Sequence, residues 1–149
     1  MRLTCEDVFT VGIWLRTRPA REALDRVYIP LLNPNVILCV AGEQNGLMVR
    51  RVILSIAGYE VFTAADGDEA LTTLCDSHVD LVITEHFLPD CTGAQVAAKM
   101  KRLKPEVPIV LLTGALELPP RSDNVDLVLP KCLDPTEFLA ALAGLIPKR

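Results

Sequence analysis

Aromatic side chains are scarce: Phe, Tyr and Trp together make up 5% of the 149 residues, against 50% hydrophobic residues overall. A core must therefore come from Val, Ile, Leu and Ala rather than from rings, and so apolar a chain is not disordered throughout. A basic excess is also lacking. Fifteen Lys and Arg against nineteen Asp and Glu leave a formal charge of -4, with no cationic surplus to hold a phosphate backbone, so nucleic acid is not an expected partner. No apolar run approaches the roughly 18 residues that span a bilayer, and Met1 to Thr10 lack a charged-then-apolar leader pattern. A cytoplasmic chain without a membrane partner is expected. The five cysteines (Cys5, Cys39, Cys75, Cys91, Cys132) are odd in number, scattered and without a CxxC pair, which points to reduced thiols. The loop AGEQNG, Ala41 to Gly46, has neither the GxGxxG fingerprint nor a P-loop lysine, which argues against a flavin or nucleotide phosphate cradle.

What is present is an alternation. The length favours one compact domain with an appendage of at most a few tens of residues. From Val36 onward, short apolar runs alternate with amphipathic stretches. Val36 to Val40, Leu81 to Ile83 and Ile109 to Leu112 are apolar throughout, as expected of parallel strands covered on both faces. Tyr59 to Ala64 and Val125 to Leu129 mix in polar residues and suit positions nearer the sheet edges. A first helix is expected over Leu47 to Ala57, closed by Gly58. A second starts at Asp66 with Glu69 three residues on, placing Ala70, Leu71, Leu74 and Cys75 on one face. In a third, Thr92 and Gln95 stand in the same capping relation, ahead of a stripe of Val96, Ala97, Met100 and Leu103. The last opens with Asp134, Pro135 and Glu137 as cap, first-turn proline and capping-box acid, with a stripe of Phe138, Leu139, Leu142 and Leu145. Between Thr113 and Lys131, Pro119 and Pro120 confine any helix to the residues after them, so the fourth crossover is expected to be short or irregular.

Five strands with alternating helices define an α/β, doubly wound parallel sheet. Ligand sites in such sheets lie beyond the carboxyl ends of the central strands. That rule selects Ala41 to Glu43, Glu85 to Asp90, Thr113 to Gly114, and Lys131 to Cys132. Residues 1–35 form a separate N-terminal extension ahead of the 36–149 domain. In it Ala20, Ala23, Leu24, Val27 and Tyr28 follow helical spacing, so a short amphipathic helix is expected there. Packing on the domain or fraying is the plain reading of this extension; a homodimer or partner contact is the sharper one.

Five segments carry a family resemblance: Val36 to Val40, AGYEVFTAADGDEAL from Ala57, DLVITEHFLPDCTG from Asp80, PIVLLTG from Pro108, and LPKCLDPTEFLAAL from Leu129. In this order and spacing the chain resembles the receiver domain of bacterial two-component response regulators over about residues 36 to 146. The resemblance implies a flavodoxin-like sheet of strand order 2-1-3-4-5 with helices on both faces. It also implies a site in which a partner histidine kinase's phosphoryl group passes to an aspartate at the end of the third strand. In that site an acid pair after the first strand holds Mg2+, a hydroxyl ends the fourth strand and a lysine ends the fifth. The dication and the ammonium neutralise the transferring group, and the hydroxyl bonds its oxygens.

Thr113 and Lys131 match this pattern; the other positions do not. The phosphoacceptor position holds Glu85, and the acid pair aligns with Ala41 and Gly42, leaving Glu43 as the nearby carboxylate. Three carboxylates and one ammonium would balance to -2, which Mg2+ cancels. Here Glu85 and Lys131 balance to zero, or to -1 if Glu43 turns inward. With two charged ligands lost, Mg2+ is not expected to bind, and no other metal or cofactor is expected. The extra methylene of Glu85 moves its carboxylate by roughly 1.5 Å, and an error near 1 Å can cost an in-line nucleophile about a hundredfold. Glu85 is expected to pair with Lys131 and hold the domain in one state. The switch position three residues before Lys131 holds Val128, whose β-branched side chain has little rotamer freedom.

The expected function is that of an atypical, pseudo-receiver in a two-component phosphorelay: not an enzyme, without an output domain of its own. It would act by protein-protein contact with a histidine kinase or an output protein through the last strand and helix. One alternative is a working phosphoaccepting receiver. Another is a thiol-based redox sensor using Cys91 or Cys132 near Lys131. His86, without a second histidine nearby, reads as a surface residue. The basic run Lys99, Lys101, Arg102 and Lys104 reads as a solvated helix end, facing a stretch from 52 to 98 that holds no Lys or Arg.

Overall fold

A computed structural model describes residues 34–114 and 123–147. The chain divides into two units, Met1–Pro34 and Asn35–Arg149, and the fold below is that of the second. The amphipathic helix expected around Ala20 to Tyr28 and the crossover segment around Pro119 and Pro120 lie outside the described residues.

The elements run β1 (Val36–Val40), α1 (Gln44–Ile56), β2 (Glu60–Ala64), α2 (Gly67–Asp76), β3 (Leu81–Glu85), α3 (Gly93–Leu103), β4 (Ile109–Thr113), β5 (Leu127–Pro130) and α4 (Pro135–Ala143). All strands pair in parallel in the order β2-β1-β3-β4-β5, the doubly wound flavodoxin-like sheet expected. β1, β3 and β4 are buried along their whole length, whereas β2 and β5, the two strands with mixed composition, form the partly exposed edges.

Side-chain alternation along each strand divides the core in two. Ile37, Cys39, Leu81, Ile83, Val110 and Leu112 pack with Leu47 and Leu54 of α1 and Phe138 and Leu142 of α4. On the other face Leu38, Val40, Val82 and Ile109 meet Ala70 and Leu74 of α2 and Val96, Ala97 and Met100 of α3. Each helix pair covers one face, so the carboxyl ends of β1, β3, β4 and β5 stay free to form a site.

The helix boundaries follow local chemistry, with instructive departures. α1 starts at Gln44, a turn before Leu47, because its first turn carries no apolar residue to reveal it. It ends as expected: Gly58 takes φ +98, and the Gly58 and Tyr59 amides donate to the Ser55 and Leu54 carbonyls at 3.1 Å each, the paired bonds of a Schellman closure. Asp66 caps α2 by accepting from the Glu69 amide at 2.8 Å, while the Glu69 carboxylate accepts from Ala65 rather than from the cap residue. The Thr92–Gln95 capping box of α3 is complete. In α4, Asp134 accepts from the Thr136 amide at 2.8 Å, with Pro135 in the first turn; Glu137 makes no return bond among the described residues. Two stripe residues are exposed after all: Cys75, and Leu103 at 52%, both in the last turns of their helices.

Candidate functional site

Parity along β3 aims Glu85 at α1. Leu81, Ile83 and Glu85 share one side of the strand, and the first two belong to the core under α1 and α4. α1 answers with an arginine. Arg50 stands three residues after buried Leu47 and four before buried Leu54, on the helix stripe that faces the sheet. Its Nη2 donates to Glu85 Oε1 at 2.7 Å, and Lys131 Nζ stands 3.4 Å from the same oxygen. The Glu85 side chain is 7% exposed, that of Arg50 15% and that of Lys131 44%. A carboxylate so deeply placed needs a charged partner, and Arg50 supplies it.

The strand register brings Thr113 and Lys131 to the same rim. Thr113 pairs with Pro130, and the Lys131 amide donates to the Thr113 carbonyl at 2.8 Å. Lys131 shares parity with Leu127 and Leu129, which pack on the α4 side, so its ammonium reaches back toward Glu85. Thr113 is buried with the opposite parity, and among the described residues its hydroxyl makes no hydrogen bond to Glu85 or Lys131. Val128 also takes that opposite parity and is 46% exposed.

The positions after β1 carry no acid into the site. Ala41 is fully buried in the α1/α4 core. A Cβ on Gly42 would lie 3.0 Å from the Pro89 ring, so Pro89 would have to shift to admit a side chain. Glu43 is exposed at the cap of α1 and makes no side-chain capping bond. The charge count from sequence therefore needs correction. Glu43 does not turn inward, and Arg50, which the count omitted, makes two cations against one carboxylate: a local balance of +1 rather than zero or -1.

The loop after β3 is held from the side of α2. The Asp90 carboxylate accepts from the Gly67 and Asp68 amides at 2.8 and 3.1 Å. The Gly67 bond foremost holds the Asp90 carboxyl below the ordinary aspartate value, as expected of an acid on free helix amides. Cys91 sits against this turn, so close that a Cβ on Gly67 would lie 2.6 Å from its Sγ. Burial first, and then Asp90, pushes the Cys91 thiol up. Cys132 is exposed. His86 is only partly exposed, with its Nδ1 buried and unpartnered among the described residues, and its ring meets Phe87 edge-on at 4.6 Å. The basic run on α3 is not simply solvated: Lys101 bonds the Val107 carbonyl and Asp126, and Lys104 bonds the Ser77 carbonyl.

Arg50 is the site residue that sequence reasoning missed, and Asp90, though within the selected loop, takes a role toward α2 that was not foreseen. The signal for Arg50 was available: a cation at helical spacing between two core leucines. Asp90 gave none, because its partners lie 22 and 23 residues upstream across a turn.

A 2-1-3-4-5 parallel sheet carrying an acid at the end of β3, a hydroxyl at the end of β4 and a lysine after β5 defines a receiver class of signalling domain. The profile of the response regulator receiver domain matches residues 37–143. The chain belongs to that family. It is 32% identical over 122 residues to a probable transcriptional regulator, ycf27, of Cyanophora paradoxa, covering 77% of this chain and 49% of that protein. The alkaline phosphatase synthesis transcriptional regulatory protein PhoP of Bacillus subtilis is 34% identical over 78 residues, 52% of this chain and 32% of that one. The chain thus spans about half or less of the length of these relatives. Among solved structures, the signal receiver domain of an HD domain-containing protein from Pseudomonas fluorescens superposes with a TM-score of 0.70 at 29% identity, covering 74% of this chain and 93% of that one. The response regulator TrrA of Thermotoga maritima, in complex with Mg(2+)-BeF, superposes with a TM-score of 0.69 at 30% identity, covering 75% of this chain and 99% of that one. Among the described residues no helix is long and apolar enough to cross a membrane.

Proposed function

We propose that this receiver is a pseudo-receiver: it holds one state by an internal ion cluster and signals by protein-protein contact, without accepting a phosphoryl group. The observation that carries this reading is the Arg50 guanidinium 2.7 Å from Glu85 Oε1, with Lys131 on the same oxygen. A nucleophile must present a free lone pair in line with the phosphorus, and here the Arg50 guanidinium holds one carboxylate oxygen and fixes the orientation of the group.

The donor set also does not fit Mg2+. That ion needs near-octahedral oxygen ligation and sheds its water reluctantly. Ala41 and Gly42 offer no side-chain oxygen, Glu43 points to solvent, and a guanidinium already faces Glu85. Among the described residues no three His, Cys, Asp or Glu side chains converge on one point. No step is therefore routed through a metal, and the domain is not an enzyme in this reading. Its partner is a two-component protein, a histidine kinase or an output protein, docking on the face of β5 and α4.

A redox role through Cys91 has less support. A reactive thiol needs a lowered pKa, and the Cys91 thiol is pushed the other way by its burial and by Asp90.

The test is Mg2+ titration followed by amide NMR shifts, together with incubation in acetyl phosphate and Mg2+ followed by intact mass. The expected result is no saturable shift at Glu85 or His86 and no stable adduct. A covalent gain of about 80 Da, the mass of a phosphoryl group, would establish the working receiver instead.

A further inference from the structure

Between α1 and the turn joining β5 to α4 lies an open groove of about 390 Å³, inside the roughly 300–1,000 Å³ range of small-molecule sites. Its lining is mostly apolar, with Val49 and Ile53 contributed by α1 and Leu133 and Phe138 by the opposite turn and helix. Arg50 and Lys131 are also in the lining; Glu85 is not. The groove therefore presents cations beside an apolar bed, while the carboxylate that pairs with them is withdrawn beneath.

These cations have donors to spare. A guanidinium carries five N–H groups and an ammonium three. Among the described residues Arg50 uses one donor, on Glu85, and Lys131 stands 3.4 Å from that oxygen, too far for a strong charge-assisted bond. The surplus of donors coincides with the surplus of charge, +1 for the cluster. A monoanion neutralises that balance. A phosphate monoester, at about -1.5 to -2 near neutral pH, overshoots it, and the planar fork of an arginine matches a carboxylate.

We infer that this groove binds a small organic carboxylate with an apolar body, its head on Arg50 and Lys131 and its body on Val49, Ile53, Leu133 and Phe138. The inference rests on the pseudo-receiver reading, since a phosphoryl group on Glu85 would take the free donors of Arg50 and Lys131 for its own oxygens. Occupancy would bridge α1 to the β5–α4 turn and so couple a diffusible metabolite to the face assigned to the partner.

The test is amide NMR titration of the full chain with octanoate and with benzoate, alongside octanamide and benzamide as neutral counterparts. The carboxylates should give saturable shifts at Val49, Ile53, Leu133 and Phe138, and each amide should bind about tenfold more weakly or worse, the ratio expected from losing a charge-assisted hydrogen bond. Lys131→Gln should weaken octanoate by a similar factor; because this side chain is half exposed, the variant keeps its fold even if Arg50→Gln does not. Shifts absent up to solubility, amides binding as well as acids, or Lys131→Gln binding as wild type would each overturn the inference. Carboxylate silence together with Mg2+ silence removes this site alone, whereas saturable Mg2+ shifts at Glu85 remove the pseudo-receiver reading beneath it.

Discussion

Arg50 and Glu85, 35 positions apart in sequence, meet at 2.7 Å across the space between α1 and the end of β3. The pair is mostly buried, so its members are unequal when one is removed. Arg50→Ala leaves a carboxylate that is 7% exposed with only Lys131 at 3.4 Å, and should cost about 3 kcal/mol, the lower end for breaking a buried pair. Glu85→Gln leaves a guanidinium that can turn to water and should cost about 1 kcal/mol. The double variant should be more stable than Arg50→Ala alone, as measured by urea unfolding. Additive losses would mean that the two groups do not interact energetically.

A second carboxylate sets an acid dependence of stability. Burial alone would raise the Asp126 carboxyl; it is outweighed by the Lys101 ammonium at 2.9 Å and the Ile109 amide at 2.7 Å, so the group lies below its ordinary value of 3.8. A lowered acid stabilises the fold above its unfolded-state value, and that contribution is lost as the pH falls through its folded-state value. Wild type should therefore exceed Asp126→Asn in stability at pH 7. The gap should close as the pH drops from 5 through the ordinary aspartate range and below, when both proteins are unfolded by urea at a series of pH values. Partial exposure keeps the effect modest.

Gly93 is required by contact rather than by backbone angle. A Cβ there would overlap the Glu85 carbonyl oxygen and lie 2.6 Å from Leu111 Cδ1. Both neighbours are buried in the sheet, so neither can yield. Gly93→Ala should lose about 3 kcal/mol or more, at the upper end for overpacking, seen as a lowered urea midpoint. Gly144→Ala, where the nearest atom would be 3.6 Å away, should change it little.

Thiol reactivity should divide the described cysteines. Burial pushes the Cys39 thiol up to about 12, and Cys91 is raised by burial and by Asp90. Cys75 and Cys132 are exposed. Alkylation of the native protein at neutral pH, read by peptide mass, should label Cys75 and Cys132 first, Cys91 slowly, and Cys39 only on unfolding. Early labelling of Cys91 would revive the redox-sensor reading.

Local pattern carried most of the fold. The unbroken apolar runs at Val36, Leu81 and Ile109 became the three central strands, and the caps at Asp66 and Thr92 fixed their helices, because these signals act within a few residues. The errors fell where a neighbour from elsewhere in the chain decides. Leu103 fits the stripe of α3 yet is exposed, as the last residue of that helix. Lys101 belongs to a run whose local pattern is that of a solvated helix end, but Asp126, on the approach to β5, captures it. Glu43 lies close to the site in sequence and turns to solvent, while Arg50, almost two turns after it, supplies the charge.

From the sequence alone followed the residue types at each strand end: Ala41 and Gly42 in place of an acid pair after β1, a glutamate ending β3, a threonine ending β4 and a lysine after β5. The covalent order and the alternation of strand and helix put those positions on one rim. Which of them touch was decided only by tertiary packing. Seating Leu47 and Leu54 in the core fixes the rotation of α1 about its own axis, and packing that helix over the end of β3 brings Arg50 onto Glu85.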